Sequence, residues 1–288
     1  MAKVLITGCS SGFGLLTALE FAGRGHEVFA TCRSGESAAR MAGIHAAVPG
    51  LHWRQLDVTD EQATLSTVAD IVADAEGLDA LVNNAGIAHP GAVEDLDSAV
   101  LRRVMNTNFF GALWTTRAVL PGMRQRGSGC IVMMSSLSAL VGLPGEAIYA
   151  ASKAALEAAA EALRYEVERF GIRVFAVEPG AFSTAMPQKI AATGSGPQGS
   201  PYAPLIGFLT ELAASRLGAQ DDPKYVARLI ADIVESPPAR FRIPAGAQAE
   251  DVTSRLAALD DESRPHFIRG VHGTEWWSRG ETCPGNEA

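Results

Sequence analysis

Seven short apolar runs rich in Val, Ile and Leu recur along this chain, separated mostly by longer stretches of helical periodicity, and this alternation restricts the fold more than any other feature. The runs fall at about residues 3–7, 27–31, 51–55, 79–83, 129–135, 172–178 and 239–243, and helices are expected at 12–23, 60–75, 97–124 and 148–170 among others. Strands that alternate with helices predict a parallel sheet covered on both faces, a Rossmann-like, doubly wound α/β arrangement of about seven strands. No linker, repeat or low-complexity tract divides it, and 288 residues suffice for one large α/β domain. Two segments leave the rhythm. Residues 181–202 run into the Gly/Ser/Pro-rich "ATGSGPQGSPYAP", which reads as a mobile loop, and the polar tail after about 247 ends in "WWSRGETCPGNEA", which matches no motif. The expected organisation is a single domain over 1–246 with a substrate lid at about 181–220, followed by a C-terminal extension at 247–288.

Charge narrows the partners. A formal net charge of −8 with scattered basic residues argues against nucleic acid and against an anionic membrane surface. No apolar run approaches the ~18 residues of a membrane span. Cys9, Cys32, Cys130 and Cys283 lie far apart with no CxxC pair, so a disulfide framework or zinc site is not expected, and no metal site is. With no signal-peptide layout in "MAKVLITG", the expectation is a soluble cytoplasmic protein.

The first strand leads into "TGCSSGFG", with Gly8, Gly12 and Gly14 opening a helix and Ser10, Ser11 and Phe13 between them. Glycines here allow a tight turn and close backbone approach to a pyrophosphate, whose charge suits a helix N-terminus; a turn with packing duties alone is the competing reading. The spacing is TGxxxGxG rather than GxGxxG. After the second strand, "VFATCRSGE" has no acidic residue to hold a ribose 2′-hydroxyl. Arg33 stands there instead, able to pair with a 2′-phosphate through its planar fork or to sit solvated at a strand end. The missing acid and the arginine together favour NADP(H) over NAD. Tyr149 and Lys153 in "YAASK" are four residues apart and share a helical face. They read as a surface pair or as a phenol tuned by a cation.

Together with "LVNNAG" and Ser136, thirteen residues before Tyr149, these motifs resemble the short-chain dehydrogenase/reductase family over about residues 3–246. The resemblance implies a cofactor site at Gly8, Ser10, Ser11, Gly12, Phe13, Gly14, Arg33, Asp57, Val58, Asn84, Ala85, Gly86, Tyr149, Lys153, Pro179, Gly180 and Thr184. In it, Asp57 and the backbone of Val58 contact adenine, Asn84 to Gly86 border its ribose, and Thr184 bonds the carboxamide. Asp57 equally suits a strand-end cap, and Asn-Ala-Gly a plain turn.

The resemblance also implies catalytic roles for Asn108, Ser136, Tyr149 and Lys153. Ser136 donates to the substrate oxygen, Tyr149 is the acid/base, Lys153 tunes the phenol and reaches the nicotinamide ribose, and Asn108 holds a water joining Lys153 to solvent. Asn106 is a nearby competitor, and an asparagine bonding its own helix backbone is the structural alternative. The physical case is that a free phenol has a pKa of ~10. A cation about 4 Å away at an effective dielectric of about 20 contributes roughly 4 kcal/mol, enough to lower it before desolvation acts.

Phe182, Met186, Tyr202, Leu205 and Phe208, faced by Leu143 and His89, are expected around an apolar substrate, or as core. "RFRIPAG" resembles the last strand of longer members acting on steroid- and retinoid-like compounds. His89 reads as a loop residue, His266 and His272 are too isolated for a metal, and Trp276 and Trp277 would pack on the lid or a neighbouring copy, or be disordered. The expected function is an NADP(H)-dependent oxidoreductase interconverting a carbonyl and a secondary alcohol on an apolar substrate, a ketoreductase working as a homodimer or homotetramer. The alternative is a non-catalytic NADP-binding regulator or sensor; an extended epimerase or dehydratase would carry TGxxGxxG and a larger C-terminal domain.

Overall fold

The sheet begins with β1 (Lys3–Ile6), and α1 (Gly12–Gly23) follows the glycine-rich turn. A computed structural model describes residues 1–33, 36–183, 197–215 and 221–284, without the side chains of 36–38 and 40. Strands β2 (Glu27–Cys32), β3 (Leu51–Gln55), β4 (Ala80–Asn83), β5 (Gly129–Met134), β6 (Ile172–Pro179) and β7 (Arg242–Ala245) complete one seven-stranded sheet in the order β3-β2-β1-β4-β5-β6-β7. Every pairing is parallel. The doubly wound expectation is therefore met, with the order reversing between β1 and β4. A crevice opens at the carboxyl ends of strands at such a switch point.

Strand residues alternate between two buried cores. Val4, Ile6, Val132 and Val177 face one, and Leu5, Ile131, Met133 and Val174 face the other. Helix α1 packs against the helix Lys224–Glu235 on the first face, while α3 (Glu61–Asp74) and α5 (Gly111–Arg126) pack together on the second. Between them in sequence lie α2 (Glu36–Ala47) and α4 (Ser98–Met105).

The long helix expected at 97–124 contains an irregularity. A π turn at Asn106–Phe110 joins α4 to α5. Such single-turn bulges leave one backbone carbonyl out of the regular ladder and occur often at functional sites. Helix α6 (Ala147–Val167) is alanine-rich and long, as its propensity favours.

The last strand sits three residues later in its start than the run 239–243 suggested. Pro244 lies within it, which an edge strand tolerates because its outward N–H needs no partner. The tail is helical. It forms α9 (Ala247–Ala257), α10 (Ser263–His272) and α11 (Glu275–Ser278), following α7 (Ala203–Ser215) and α8 (Lys224–Glu235). Residues beyond 246 pack against the rest of the chain. Gln248 Oε1 accepts from Ala181 N at 2.9 Å, Arg264 bonds the Leu140 carbonyl, and buried Trp276 stands edge-on to Phe208 at 5.7 Å between ring centroids. Polar composition concealed these helices, whose apolar positions Val252 and Leu256, then Phe267, Ile268 and Val271, recur at helical spacing.

Candidate active site

A cleft of about 900 Å³ opens across the carboxyl ends of the strands, and the glycine turn forms one end of it. Gly8 has φ +73°, and a Cβ there would come within 2.7 Å of the Ala85 Cα. At Gly14 a Cβ would meet the Asn84 Nδ2 at 2.3 Å and the Gly8 carbonyl at 2.6 Å. The Asn84 side chain in turn donates to the Thr7 and Gly8 carbonyls at 2.8 and 3.1 Å. The β1 turn and the β4 turn thus lock together at the switch point, leaving the start of α1 directed at the cleft. This close packing fits a nucleotide pyrophosphate, which needs bare backbone at a helix N-terminus.

Of the residues singled out in the sequence, Gly8, Ser10, Ser11, Gly12, Phe13, Arg33, Asp57, Val58, Asn84, Ala85, Gly86, Ser136, Tyr149, Lys153, Pro179 and Gly180 all line this cleft. Gly14 lies beneath Asn84, and Asn108 lies behind the wall. Thr184 and Met186 fall outside the described residues, as does part of the expected lid. Arg33 is exposed just past the end of β2, beside buried Cys32. The Asp57 carboxylate accepts from Thr59 N at 3.0 Å and from its hydroxyl at 2.7 Å, so it also serves as the strand-end cap.

Ser136 leaves β5, and Tyr149 and Lys153 occupy successive turns of α6. Ser136 Oγ accepts from Ser138 N at 3.1 Å, and its hydroxyl favours the charged form of the Tyr149 phenol. Lys153 Nζ donates to the Met134 carbonyl at 2.6 Å and stands 5.8 Å from the Tyr149 ring centroid. Burial pushes the phenol up to about 12, against the pull of Ser136, and the nearby Glu146 carboxylate raises it further. Burial likewise pushes the Lys153 ammonium down to about 8, with Glu157 opposing. Burial is the leading influence on the phenol, ahead of its polar neighbours. The ammonium is aimed at a strand carbonyl, and burial is the largest influence on both groups.

The Asn108 side chain does not bond its own helix. Its Oδ1 accepts from Ile87 N at 2.8 Å, and its Nδ2 donates to the Ile87 carbonyl at 2.8 Å and to Ser152 Oγ at 2.9 Å. It pins the loop after β4 to α6 and so positions Gly86 against Lys153.

The substrate wall differs from the one expected. Phe182 and Leu143 line the cleft, and so does His89, whose imidazole is held below its usual range by burial and Arg103. On α7, however, the stripe Ile206, Leu209, Thr210 and Ala213 faces the cleft. Leu205 is buried in packing, Phe208 turns to Trp276, and the Tyr202 hydroxyl donates to Glu94 at 2.8 Å. The stacked tail explains this: Trp276 and Trp277 cover the opposite helical face. Sequence reasoning missed Glu146 and the tail residues Val252, Leu256, Phe267, Ile268 and Val271, all at the cleft. Among the described residues no cluster of three metal-ligating side chains occurs, and no helix is long and apolar enough to cross a membrane.

Behind Lys153 lies a buried acidic pair. Glu157, one turn along α6, bonds Ser135 and accepts from Arg242 Nε at 3.0 Å. Glu178 on β6 is fully buried, with Arg242 Nε 3.8 Å away. Burial, then Glu157, pushes its carboxyl up to about 7. A carboxyl raised on folding binds its proton more tightly in the native state, so the stability it allows is complete below its unfolded pKa and declines as pH rises to about 7. Glu178→Gln is expected to remove this decline, gaining about 1–2 kcal/mol on the parent at pH 8 relative to pH 5. Urea denaturation at the two pH values measures it; parallel pH dependence in both proteins would assign the titration elsewhere.

Comparison with known proteins agrees with the architecture. A family model described as short chain dehydrogenase matches residues 2–194. Over 185 residues the chain is 42% identical to an uncharacterized oxidoreductase of Bacillus subtilis, YusZ, covering 63% of this chain and 65% of that protein. It is 39% identical over 194 residues to human retinol dehydrogenase 8, covering 66% of this chain and 61% of the relative. The chain thus matches somewhat under two thirds of the length of these relatives. Among solved structures, a short-chain dehydrogenase from Streptomyces avermitilis superposes with a TM-score of 0.77 at 33% identity, covering 97% of this chain and 99% of the other. The closed form of a serine dehydrogenase complexed with NADP+ gives 0.71 at 26% identity, over 84% and 93%.

Proposed function

The chain belongs to the short-chain dehydrogenase family, and we propose that it is an NADP(H)-dependent oxidoreductase interconverting a carbonyl and a secondary alcohol on a largely apolar substrate. The observation that carries this reading is the convergence of Ser136, Tyr149 and Lys153 on the cleft whose far end is the glycine turn. A bound nicotinamide supplies hydride chemistry beside them. Tyr149, raised by burial, carries its proton at neutral pH and is therefore in the form that donates to a carbonyl oxygen. Ser136 gives a second hydrogen bond to that oxygen as charge develops on it. Lys153, buried against Met134, holds the positive charge of the site close to Tyr149, and Asn108 fixes the loop that brings Gly86 alongside.

Support for NADP(H) comes from Arg33 just past the β2 end, where Cys32 and not an acid closes the strand, and from the NADP+ in the serine dehydrogenase relative. Support for an apolar substrate comes from the aliphatic and aromatic lining contributed by α7 and the tail. The relatives include a retinol dehydrogenase and cyclopentanol dehydrogenases, which by their names act on apolar alcohols. Assembly as a homodimer or homotetramer through α5 and α6 fits the 40% exposure of Phe110 beside α5.

Titration of the purified protein with NADPH and NADH, followed by ketones from small to steroid-sized, tests the reading. Preference for NADPH with reduction of bulky apolar ketones is expected. Tight NADPH binding without turnover across the panel would favour the sensor alternative instead.

A further inference from the structure

We infer that Glu146 is a specificity-determining residue, and that the substrate carries a hydrogen-bond donor, a hydroxyl or an amine, close to its reacting carbonyl. The inference rests on the reading that Ser136 and Tyr149 hold that carbonyl. Around the substrate half of the cleft most of the lining is apolar, with Val141, Leu143, Leu209, Phe267 and Val271 among it, and its polar members include His89, Arg103, Thr210 and His272. Two carboxylates line the cleft among the described residues. Asp57 is committed to Thr59 at the cofactor end. Glu146 is the other, and it sits in this mostly apolar half.

The fold does not account for it. Glu146 occupies the N-cap position of α6, yet its side chain makes no capping bond. Among the described residues its carboxyl makes one hydrogen bond, Oε2 accepting from Ser138 Oγ at 3.0 Å, and Ser138 N in turn donates to Ser136 Oγ at 3.1 Å. The carboxyl therefore stands two hydrogen bonds from the group that would hold the substrate oxygen. Its presence works against the site as it stands, because it raises the proton affinity of Tyr149 and its own carboxyl is raised by burial. A carboxyl held in apolar surroundings needs a partner, and a donor on the substrate supplies one. A ketone without that donor seals the carboxyl off from water with nothing in exchange, and is discriminated against. Apolar residues of α10 complete the cleft beyond and receive the rest of the molecule.

The test compares 2-octanone with 1-hydroxy-2-octanone, using NADPH and the full chain. The hydroxyketone is expected to show a kcat/KM at least about tenfold higher, most of it in KM, as loss of a hydrogen bond to a charged group implies. Calorimetric titration of the two compounds into the protein should give the same order in Kd. Glu146→Leu should bring the ratio to about one, and the size-conserving Glu146→Gln should reduce it at least about threefold. Equal kcat/KM in the parent protein, or a preference that survives both substitutions, overturns the assignment. Turnover of neither compound nor of any ketone, with NADPH still bound, would instead remove the oxidoreductase reading beneath it.

Discussion

Tyr149→Phe is expected to lower ketone turnover by about a thousandfold or more while NADPH binds nearly as before. The substitution keeps the ring, its place on the first turn of α6 and its packing beside Lys153, and removes only the oxygen that Ser136 engages. General acid catalysis contributes roughly 10²–10⁴-fold, and the hydrogen bond lost from the developing oxyanion adds to that. The sign of the pH effect follows from the direction of the shift. A phenol held up at about 12 is protonated throughout the neutral range, so reduction should not rise with pH between 6 and 8. Stopped-flow or steady-state NADPH oxidation measures the rate, and fluorescence titration the binding. Substantial turnover by the phenylalanine variant would move the proton donor to another group, such as Glu146 in the same cleft.

What the chain discloses before folding divides along physical lines. Local chemistry is legible: the strand–turn–helix at Gly8 to Gly14, the i, i+4 pair Tyr149 and Lys153 and the alternation of elements all follow from spacing and periodicity. Quantities set by burial are not. The approach of Lys153 to Tyr149 is legible from spacing, whereas the desolvation that acts on both groups depends on what packs around them. The same holds for α7. Tyr202, Leu205 and Phe208 are apolar or aromatic and near the lid, so sequence places them with the substrate. Helical phase turns Phe208 away toward Trp276 and presents Ile206 and Leu209 instead, and only the docked tail decides which face is inside. Glu146 escaped notice because a glutamate before a helix reads as an ordinary helix-start residue.

Arg33→Ala should weaken NADPH by about thirty- to a hundredfold and NADH by less than about threefold. The guanidinium can meet a 2′-phosphate with two parallel charge-assisted hydrogen bonds, and bonds of that kind contribute about 1.5–3 kcal/mol each. Exposure of Arg33 reduces the figure, because water and salt screen both partners. Even so, a ribose hydroxyl gains nothing comparable from a cation, which is why the two cofactors should separate. An acidic residue at the end of β2 would reverse the preference by repelling the phosphate; Cys32 occupies the strand's last position and offers neither charge. Ionic strength supplies an independent arm. NADPH affinity of the parent should fall as salt rises from low to physiological and beyond, and the Arg33→Ala variant should lose most of that dependence, while NADH responds weakly in both proteins. Equal losses for the two cofactors on substitution would leave Arg33 a solvated strand-end residue and assign phosphate recognition to another part of the cleft.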